Sequence, residues 1–546
     1  MGASARESDA SSDQIRADKS AAPADERTIR VYSTAFVYGL DTTIAADVQA
    51  PIVVDFGNPE MVAWLGNGFA LGNVATILLW GVMFSKVNMK WLYILSIVIF
   101  EIGSAICGAA TGMNMEIAGR VIAGIGGSGI YLGGLNFVSA TTTQKERGTY
   151  ISGIGVSWGA GCVLGPILGG LFTASSATWR WSFYINLCIA AVCIPLYLFY
   201  IPSMPSSDTR PLLQRLTTVD YLGFFLSAGA WVLFSVLFTF AGALWEYNSP
   251  ETIALSVLFG VFTLLFVVQQ RFAFLTTKEH RLFPAHLLLS RTQIALTFGC
   301  AGVQAGLFVP LYYLPLYFQF AKGDSALQAA VHILPFIIVN IVVNLAAGTF
   351  LPLINFYAPV YLVAGTLIAI SGGLLHLITT ETSLSAIYGY SVLAAFGSGL
   401  AEQIGYTIGA VKLASQGRDH DVGASISMQN VTQIGTSLIL LVISGQIFQK
   451  FAAQEISSAL ANLQLSNAEI HSAVSGSESA IYESLSDTDK TKVIDAVTSS
   501  IGLVYWVLVA FGILTVAASL GMRWERLFPK QVAEEEKGTI ESEEKK

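Results

Sequence analysis

The sequence predicts an all-α polytopic membrane protein, and three observations support this fold class. Of the 546 residues, 53% are hydrophobic and only 12% are charged, whereas a soluble domain carries about 25% charged residues. The mean hydropathy of +0.60 points to lipid as the main solvent. Apolar stretches also recur along the chain with the length of about 20 residues that a helix needs to cross the hydrocarbon core.

Fourteen stretches qualify as membrane spans, and a count of twelve or thirteen is the alternative. They lie at residues 30–52, 61–82, 91–110, 115–138, 149–172, 181–202, 219–241, 252–271, 293–318, 327–352, 357–378, 384–411, 423–448 and 502–522. The first span is the weakest prediction of the set because Asp41 interrupts it.

The distribution of basic residues orients these spans. With the N-terminus inside, the inner segments hold 23 of the 29 Lys and Arg residues and the outer segments hold five, while Arg120 lies within a span. Short cytoplasmic loops carry such an excess of basic residues, so both termini are expected in the cytosol. The net charge of −8 gives no indication of nucleic-acid binding.

The same count divides the chain into segments. We expect a disordered cytosolic tail at 1–29, an N-terminal six-helix bundle at 30–202, a cytosolic linker at 203–218, two extra helices at 219–271, a cytosolic loop at 272–291, a C-terminal six-helix bundle at 292–522 and a cytosolic acidic tail at 523–546. A polar outer loop at 449–500 interrupts the second bundle, and two segments within it have weak helical periodicity.

The fifth span contains an unusual run of glycines, GAGCVLGPILGG at 159–170. Glycine costs roughly 1 kcal/mol against alanine inside a helix, and proline about 3. Gly161, Gly165 and Gly169 recur every four residues and therefore share one helical face, where small residues let a neighbouring helix approach closely. Pro166 removes a backbone donor and favours a bend. The run indicates a tight helix seam, which either stays fixed or slides as the protein changes state.

This run resembles the antiporter signature G-x-x-x-G-P-x-x-G-G of major facilitator superfamily exporters, and Gly161, Gly165, Pro166, Gly169 and Gly170 fill its fixed positions. Further stretches match the fourteen-span drug:proton antiporter family in order. They are LDTTIAADVQAPIV at 40–53, FEIGSAICGAA at 100–110, GRVIAGIGGSGI at 119–130, WRWSFYIN at 179–186 and YYLPLYFQFAKGDSALQAAVHILP at 312–335. The sequence is most similar to fungal members that export toxins, drugs or secondary metabolites.

The resemblance implies a major facilitator fold, with two six-helix bundles plus two extra helices. It also implies a proton-coupled exporter of a largely apolar small organic molecule that works by alternating access between the bundles. Its partners would be the substrate, protons and the bilayer, and the protein is expected to act as a monomer, in the plasma membrane or else the vacuolar membrane. An importer of a siderophore or metabolite and a sensor that binds without transport are the alternatives.

The loop after the second span departs from the family pattern G-x-L-x-D-x-x-G-R-K. It reads GVMFSKVNMK, so that Gly81 and Lys90 are kept and Lys86 adds a charge, but Ser85 replaces the acid. In the family this loop helps to close the inner gate by charge pairing, so a weaker inner gate is expected here. Ala123 also replaces the glutamine that is usual in the fourth span.

Ionisable residues at bilayer depth are costly and mark ion or substrate paths. In transporters of this family the first and fourth spans face the central cavity, so Asp41 is predicted to carry the coupled proton and Arg120 to tune it. A fixed ion pair that only satisfies both groups is the alternative. Glu101 in the third span is a weaker coupling candidate, since it could instead be hydrogen-bonded structurally.

Residues of the second half are predicted to line the substrate cavity. Tyr312 and Tyr313 supply either an aromatic cavity wall or an interfacial belt. Glu402 and Gln403 lie in a glycine-rich span, and Glu402 has no evident partner in the sequence. Gln429 and Gln433 share one helical face, four residues apart.

The chain contains no pattern typical of an enzyme or of a cofactor site. There is no GxxxxGK[ST] loop for ATP, and the six histidines lack metal-ligand spacing. GIGGSG at 124–129 lies in a membrane span rather than after a strand, so no dinucleotide site is predicted. The five cysteines are interpreted as small buried hydrophobic residues rather than metal ligands.

Overall fold

The computed structural model describes residues 24–57, 61, 63–206, 208–241, 245–463, 470, 474 and 485–528. Within these ranges the chain is helical apart from turns, short loops and two isolated β-bridges. A backbone buried in lipid must satisfy its own hydrogen bonds, and a helix does so within one segment. The predicted tail at 1–29 is described only from Ala24, where the first helix begins.

The helices of the first half end with a π-helical turn, Leu196–Tyr200. They are α1 (Ala24–Asp47), α2 (Gln49–Phe56), α3 (Ala63–Lys86), α4 (Met89–Gly108), α5 (Met113–Thr141), α6 (Arg147–Ala174) and α7 (Trp181–Pro195). The one-turn helix α8 (Leu212–Leu216) lies in the predicted linker, and α9 (Tyr221–Phe240) and α10 (Pro250–Phe272) are the two extra helices.

The second half begins after a 3-10 turn at Ala285–Leu289. Its helices are α11 (Arg291–Ala321), α12 (Ala326–Ile354), α13 (Ala358–His376), α14 (Leu384–Ala401), α15 (Ile404–Ala414), α16 (Val422–Ala459), α17 (Asp487–Val504) and α18 (Trp506–Gly521). A second 3-10 turn, Asp419–Asp421, precedes α16.

Thirteen helical stretches in the described part of the chain are long and apolar enough to cross a membrane. Each coincides with one of the fourteen predicted spans, where α14 with α15 forms one stretch and α17 with α18 forms another. The remaining predicted span is α1, which is helical and packs beside α6 but is more polar than the others. The interruption by Asp41 is therefore tolerated because α1 lies inside the helix assembly.

The predicted outer loop at 449–500 is shorter in the structure at both ends. Helix α16 continues to Ala459, and α17 begins at Asp487. Ile456, Val493 and Val497 are fully buried in the core of the second half, so the described parts of the two segments with weak periodicity belong largely to α16 and α17. Residues 464–469 and most of 471–484 lie outside the described ranges.

Each half has its own hydrophobic core. Phe100, Leu132 and Ile151 are buried in the core of the first half, and Phe336 and Tyr361 in that of the second. The extra helix α9 packs through Trp231 against Val74 of α3 and Leu438 of α16 and so touches both halves. By contrast, α10 is exposed along most of its length, as expected for a helix that faces lipid.

One buried carboxylate links the start of α9 to the end of α10. Asp220 caps α9 by accepting a hydrogen bond from the Gly223 amide at 2.8 Å. It also accepts from the side-chain amides of Gln269 and Gln270 at 2.9 and 2.8 Å and from the Leu282 amide at 3.1 Å. The loop that follows α10 is thereby held against the start of α9 and the end of α10.

Candidate functional site: a central cavity beside a buried ion pair

A cavity of about 470 Å³ lies between the two halves. Helices α1, α3, α5 and α6 line one side, and α11 and α16 line the other. The lining residues reach Gln49, Gly445, Gln449 and Val474, which lie toward the face that the basic-residue count places outside. The cavity therefore extends toward the predicted outer face.

The cavity wall is mainly apolar and carries eight aromatic side chains. The aromatic residues that line it include Tyr38, Phe69, Tyr131, Trp158, Phe308 and Tyr312. Trp158 of α6 and Phe308 of α11 approach to 6.2 Å between ring centroids and so join the two halves. Such a surface suits flat or irregular apolar ligands, since aromatic rings bury large areas with little loss of side-chain entropy.

A few polar groups interrupt this apolar wall. Asn73 donates a hydrogen bond to the Tyr38 hydroxyl at 2.5 Å, and Gln304 donates to the Ser437 hydroxyl at 3.0 Å. The sequence reasoning missed both amides. Their signal was the one used for Glu402, namely a polar residue within an apolar span.

The predicted partners Asp41 and Arg120 form an ion pair. The Arg120 guanidinium donates to Asp41 Oδ2 at 2.6 Å, and the side chains are 1% and 0% exposed. Asp41 comes from α1 and Arg120 from α5, so the pair joins two helices of the same half. Arg120 also lines the cavity, and the carboxylate lies directly behind it.

Further contacts orient this pair. Asn186 of α7 donates to Asp41 Oδ1 at 2.9 Å, and Arg120 Nε donates to the Leu65 carbonyl at 2.9 Å. The guanidinium carbon lies 4.6 Å from the Phe69 ring centroid, within the range of a cation–π contact. The arrangement leaves the cavity side of Arg120 flanked by an aromatic ring.

Two further acids lie near this pair. Glu101 interacts electrostatically with Asp41, and its Oε2 is buried without a hydrogen-bond partner among the described residues, but it does not line the cavity. Glu116, which the sequence reasoning missed, is fully buried on α5, and its carboxylate interacts with the Arg120 charge and with the Cys107 thiol. Its position four residues before Arg120 was the signal that could have found it, since such residues share a helix face.

The structure brings together most, but not all, of the predicted cavity residues. Tyr312, Tyr313, Glu402 and Gln433 line the cavity. Gln403 instead donates to the Tyr131 hydroxyl at 2.7 Å. Glu402 interacts with the side-chain amides of Asn344 and Asn340, which the sequence alone did not identify as its partners.

Gln429 does not line the cavity, although it was predicted to share a cavity-facing side of its helix with Gln433. It is 1% exposed, and its side-chain nitrogen and oxygen have no described hydrogen-bond partner. The Tyr406 hydroxyl, by contrast, donates to Gln433. A spacing of four residues leaves about 40° between two side chains on a helix, which here is enough to separate their environments.

The antiporter-type glycines form a seam within one half. A Cβ on Gly161 would overlap the Phe36 carbonyl of α1, and one on Gly165 would overlap the Thr43 hydroxyl. Pro166 lies within α6, and a Cβ on Gly170 would meet open space. Two of the motif glycines therefore allow close contact between α1 and α6, and Gly170 is not needed for it.

The predicted inner-gate loop contacts several different elements. A Cβ on Gly81 would overlap the Ser427 hydroxyl of α16, so α3 meets the other half here. Lys86 Nζ donates to the Thr218 hydroxyl at 2.6 Å. Lys90 Nζ donates to the Leu198 carbonyl at 2.7 Å, which keeps it within the first half.

The cysteines correct one interpretation of the sequence. Cys107, Cys162 and Cys300 are buried, but Cys188 is exposed on α7, a helix with much of its surface on the outside of the assembly. Within the described ranges, no group of three His, Cys, Asp or Glu residues is placed to hold a metal ion.

Comparisons with known proteins agree with this architecture. The profile of the Major Facilitator Superfamily matches residues 31–439. The chain is 40% identical over 502 residues to "Efflux pump patC" of Aspergillus clavatus, which covers 91% of this chain and 90% of that protein. It is 38% identical over 509 residues to "Efflux pump alnA" of Emericella nidulans, and the alignment covers 92% of this chain and 91% of that protein.

Solved structures show the same fold at low sequence identity. The human organic anion transporter MFSD10 aligns with a TM-score of 0.57 and 11% identity over 90% of this chain and 100% of that chain. The proton:xylose symporter XylE aligns with a TM-score of 0.53 and 13% identity, over 92% of this chain and 98% of that chain. The profile match and the extent of the similarity to these relatives show that the chain is a multi-pass membrane transporter, not an enzyme, and belongs to the major facilitator superfamily.

Proposed function

We propose that the protein is a proton-coupled exporter of a largely apolar small organic molecule, such as a drug, toxin or secondary metabolite. The observation that carries the proposal is the fully buried Asp41–Arg120 pair beside an aromatic cavity that extends toward the predicted outer face. The names of the similar fungal proteins, which are efflux pumps, support the direction of transport.

The pair couples the proton to the substrate through competition for Arg120. In the present arrangement the guanidinium neutralises the Asp41 carboxylate. A proton on Asp41 removes that attraction, which frees Arg120 to reorient toward the cavity it lines. Proton arrival from the outer side and release to the inner side would then accompany the two halves of an alternating-access cycle.

The apolar character of the cargo follows from the cavity wall. Arg120 and Glu402 are the only ionisable acids or bases apart from tyrosines among the described lining residues, and eight of the others are aromatic. A volume of about 470 Å³ admits a mid-sized organic molecule. We further propose that the protein acts as a monomer in the plasma membrane with both termini in the cytosol.

The test is transport in proteoliposomes driven by an imposed proton gradient, with the Asp41→Asn variant compared at equal protein incorporation. We expect the variant to bind substrate but to lose the accumulation that the gradient drives. Asp487→Asn is the matched control, because this carboxylate is fully exposed at the start of α17. Gradient-driven accumulation by Asp41→Asn would show that Asp41 is not the proton carrier.

A cellular assay separates export from the alternatives. Expression of an exporter lowers the cellular content of a toxic substrate, expression of an importer raises it, and expression of a sensor changes neither. Deletion of the gene, followed by profiling of the metabolites that accumulate inside the cells, identifies the natural cargo.

A further inference from the structure

A second cavity lies at the opposite end of the molecule, at the predicted inner face. Its volume is about 740 Å³. Its walls come from α3 and the start of α6 in the first half, from the loop after α10, and from the 3-10 turn Asp419–Asp421 and the start of α16 in the second half. None of the lining residues takes part in the central cavity.

Arg147 is the most deeply buried cation of this cavity apart from Lys86. Its side chain is 8% exposed, and one terminal nitrogen donates to the Ser139 carbonyl at 2.8 Å. Its Nε and its other terminal nitrogen have no hydrogen-bond partner among the described residues. A guanidinium with two buried and unused donors is costly to leave unsatisfied.

Two other cations of the cavity are also incompletely hydrogen-bonded or lack a charged partner. Arg281, on the loop, donates to the Gln270 carbonyl at 3.3 Å, but its Nε is buried without a described partner. Lys86 is 7% exposed, and the partner of its ammonium is the uncharged Thr218 hydroxyl. Among the described residues, no carboxylate oxygen lies within 4.0 Å of a side-chain nitrogen of Arg147, Arg281 or Lys86.

The acids of the cavity do not offset these charges fully. Glu279, Asp419 and Asp421 line it together with Lys86, Arg147, Lys278 and Arg281. Asp421 is already bound by Arg418 at 2.5 Å and by His286 at 2.9 Å. Burial, followed by the charges of Lys86 and Arg210, lowers the pKa of His280, while Glu279 and Asp208 act in the opposite direction.

We propose that this inner cavity binds a phosphate group, with Arg147 and Arg281 as its principal donors and Lys86 as a supporting cation. Guanidinium groups match phosphate oxygens with paired hydrogen bonds. A phosphate group presents three or more oxygens and can therefore accept from different walls of the cavity at once, whereas a carboxylate presents two. The group belongs either to a free phosphate from the cytosol or to the phosphomonoester on the headgroup of a phosphoinositide.

Binding here would act on the transport cycle. The walls belong to both halves, so the site is complete only while the halves meet at the inner end. A ligand that binds one state more tightly shifts the population toward that state. Phosphate would therefore favour the conformation with a closed inner end, independently of whether a proton is the coupled ion.

The experiment measures thermal unfolding of the purified full-length protein in detergent, with inorganic phosphate titrated against chloride at constant ionic strength. We expect a saturable rise in unfolding temperature. In Arg147→Gln and in Arg281→Gln the half-saturating concentration should rise roughly tenfold or more, because a charge-assisted hydrogen bond is lost. Arg271→Gln is the matched control, since this arginine is exposed at the end of α10 and outside the cavity.

A second arm separates the two sources of phosphate. Nanodiscs of phosphatidylcholine are compared with nanodiscs that also contain phosphatidylinositol 4-phosphate. A stabilisation by the phosphoinositide that depends on Arg281, without a response to inorganic phosphate, assigns the site to a lipid headgroup. The proposal is overturned if neither source stabilises the wild type, or if Arg281→Gln responds like the wild type. Arg281 lies on a loop, so this criterion holds even if Arg147→Gln fails to fold.

Discussion

Glu116 and Arg120 lie one turn apart on α5, yet their carboxylate and guanidinium are satisfied very differently. The guanidinium binds Asp41 at 2.6 Å and the Leu65 carbonyl at 2.9 Å. The Glu116 carboxylate is fully buried, and its described contact is the weak donor of the Cys107 thiol. One buried cation therefore has two acids within reach, of which Asp41 alone is bound to it.

This difference predicts opposite effects of two isosteric substitutions on stability. Asp41→Asn leaves the buried Arg120 charge uncompensated, so we expect the free energy of unfolding to fall by roughly 3 kcal/mol. Glu116→Gln removes a carboxyl that has only this weak donor and keeps its shape, so stability should be unchanged or higher, within about 1 kcal/mol. Thermal unfolding of the purified variants in detergent checks both. An equal loss in Glu116→Gln would mean that a further group binds this carboxylate.

The glycines of the antiporter-type motif are predicted to differ in their tolerance of a methyl group. Gly161→Ala would force the Cβ into the backbone of α1, so we expect a loss of about 1–3 kcal/mol. Gly170→Ala adds a methyl group in open space and removes a flexible residue from a helix, so stability should rise by up to roughly 1 kcal/mol. The unfolding temperatures of the two purified variants measure this difference in stability. Similar values for both would show that the α1–α6 seam is loose.

A different glycine contact joins the two halves at the predicted inner end. A Cβ on Gly348 of α12 would overlap the Ser152 hydroxyl and the Gly148 carbonyl of α6. Gly348→Val should therefore hinder closure of the inner end and shift the population away from the outward-facing state, while the core of each half stays intact. Gly373→Val is the control, because a Cβ there meets open space within the same half.

The measurement for Gly348→Val is the labelling of a cysteine at Gln449, which lines the outer part of the central cavity. A membrane-impermeant thiol reagent is applied from outside to a background in which the five native cysteines are replaced. We expect labelling of Gly348→Val to slow several-fold relative to Gly373→Val. Equal rates would mean that the α6–α12 contact does not control which side is open.

Thirteen helical spans were predictable because a bilayer imposes their length and composition, whereas α1 is a helix but does not meet that criterion. The Asp41–Arg120 pair was predictable for a related reason, since two opposite charges at membrane depth need each other. The separation of Gln433 from Gln429 was not, because helical spacing leaves tens of degrees of rotation undetermined. The inner cavity was missed because Arg147 and Arg281 are far apart in the sequence and line one cavity only because Asp220 anchors the loop that carries Arg281.

Glu402 is predicted to govern charge selectivity of the central cavity. It lies on the wall opposite the half that carries Arg120 and is 5% exposed. A carboxylate in a mainly apolar cavity attracts a lipophilic cation more strongly than it would in water. Glu402→Gln keeps the shape of the side chain, so export of tetraphenylphosphonium should fall roughly tenfold, while export of the neutral dye Nile red should change less than about twofold.

Efflux from cells that express equal amounts of wild type and variant measures the export of both probes. Gln433→Glu is the converse test, in which cation export should rise. An equal loss for both probes in Glu402→Gln would instead assign Glu402 to the structure of the α14–α15 junction, where it interacts with Asn344 and Asn340.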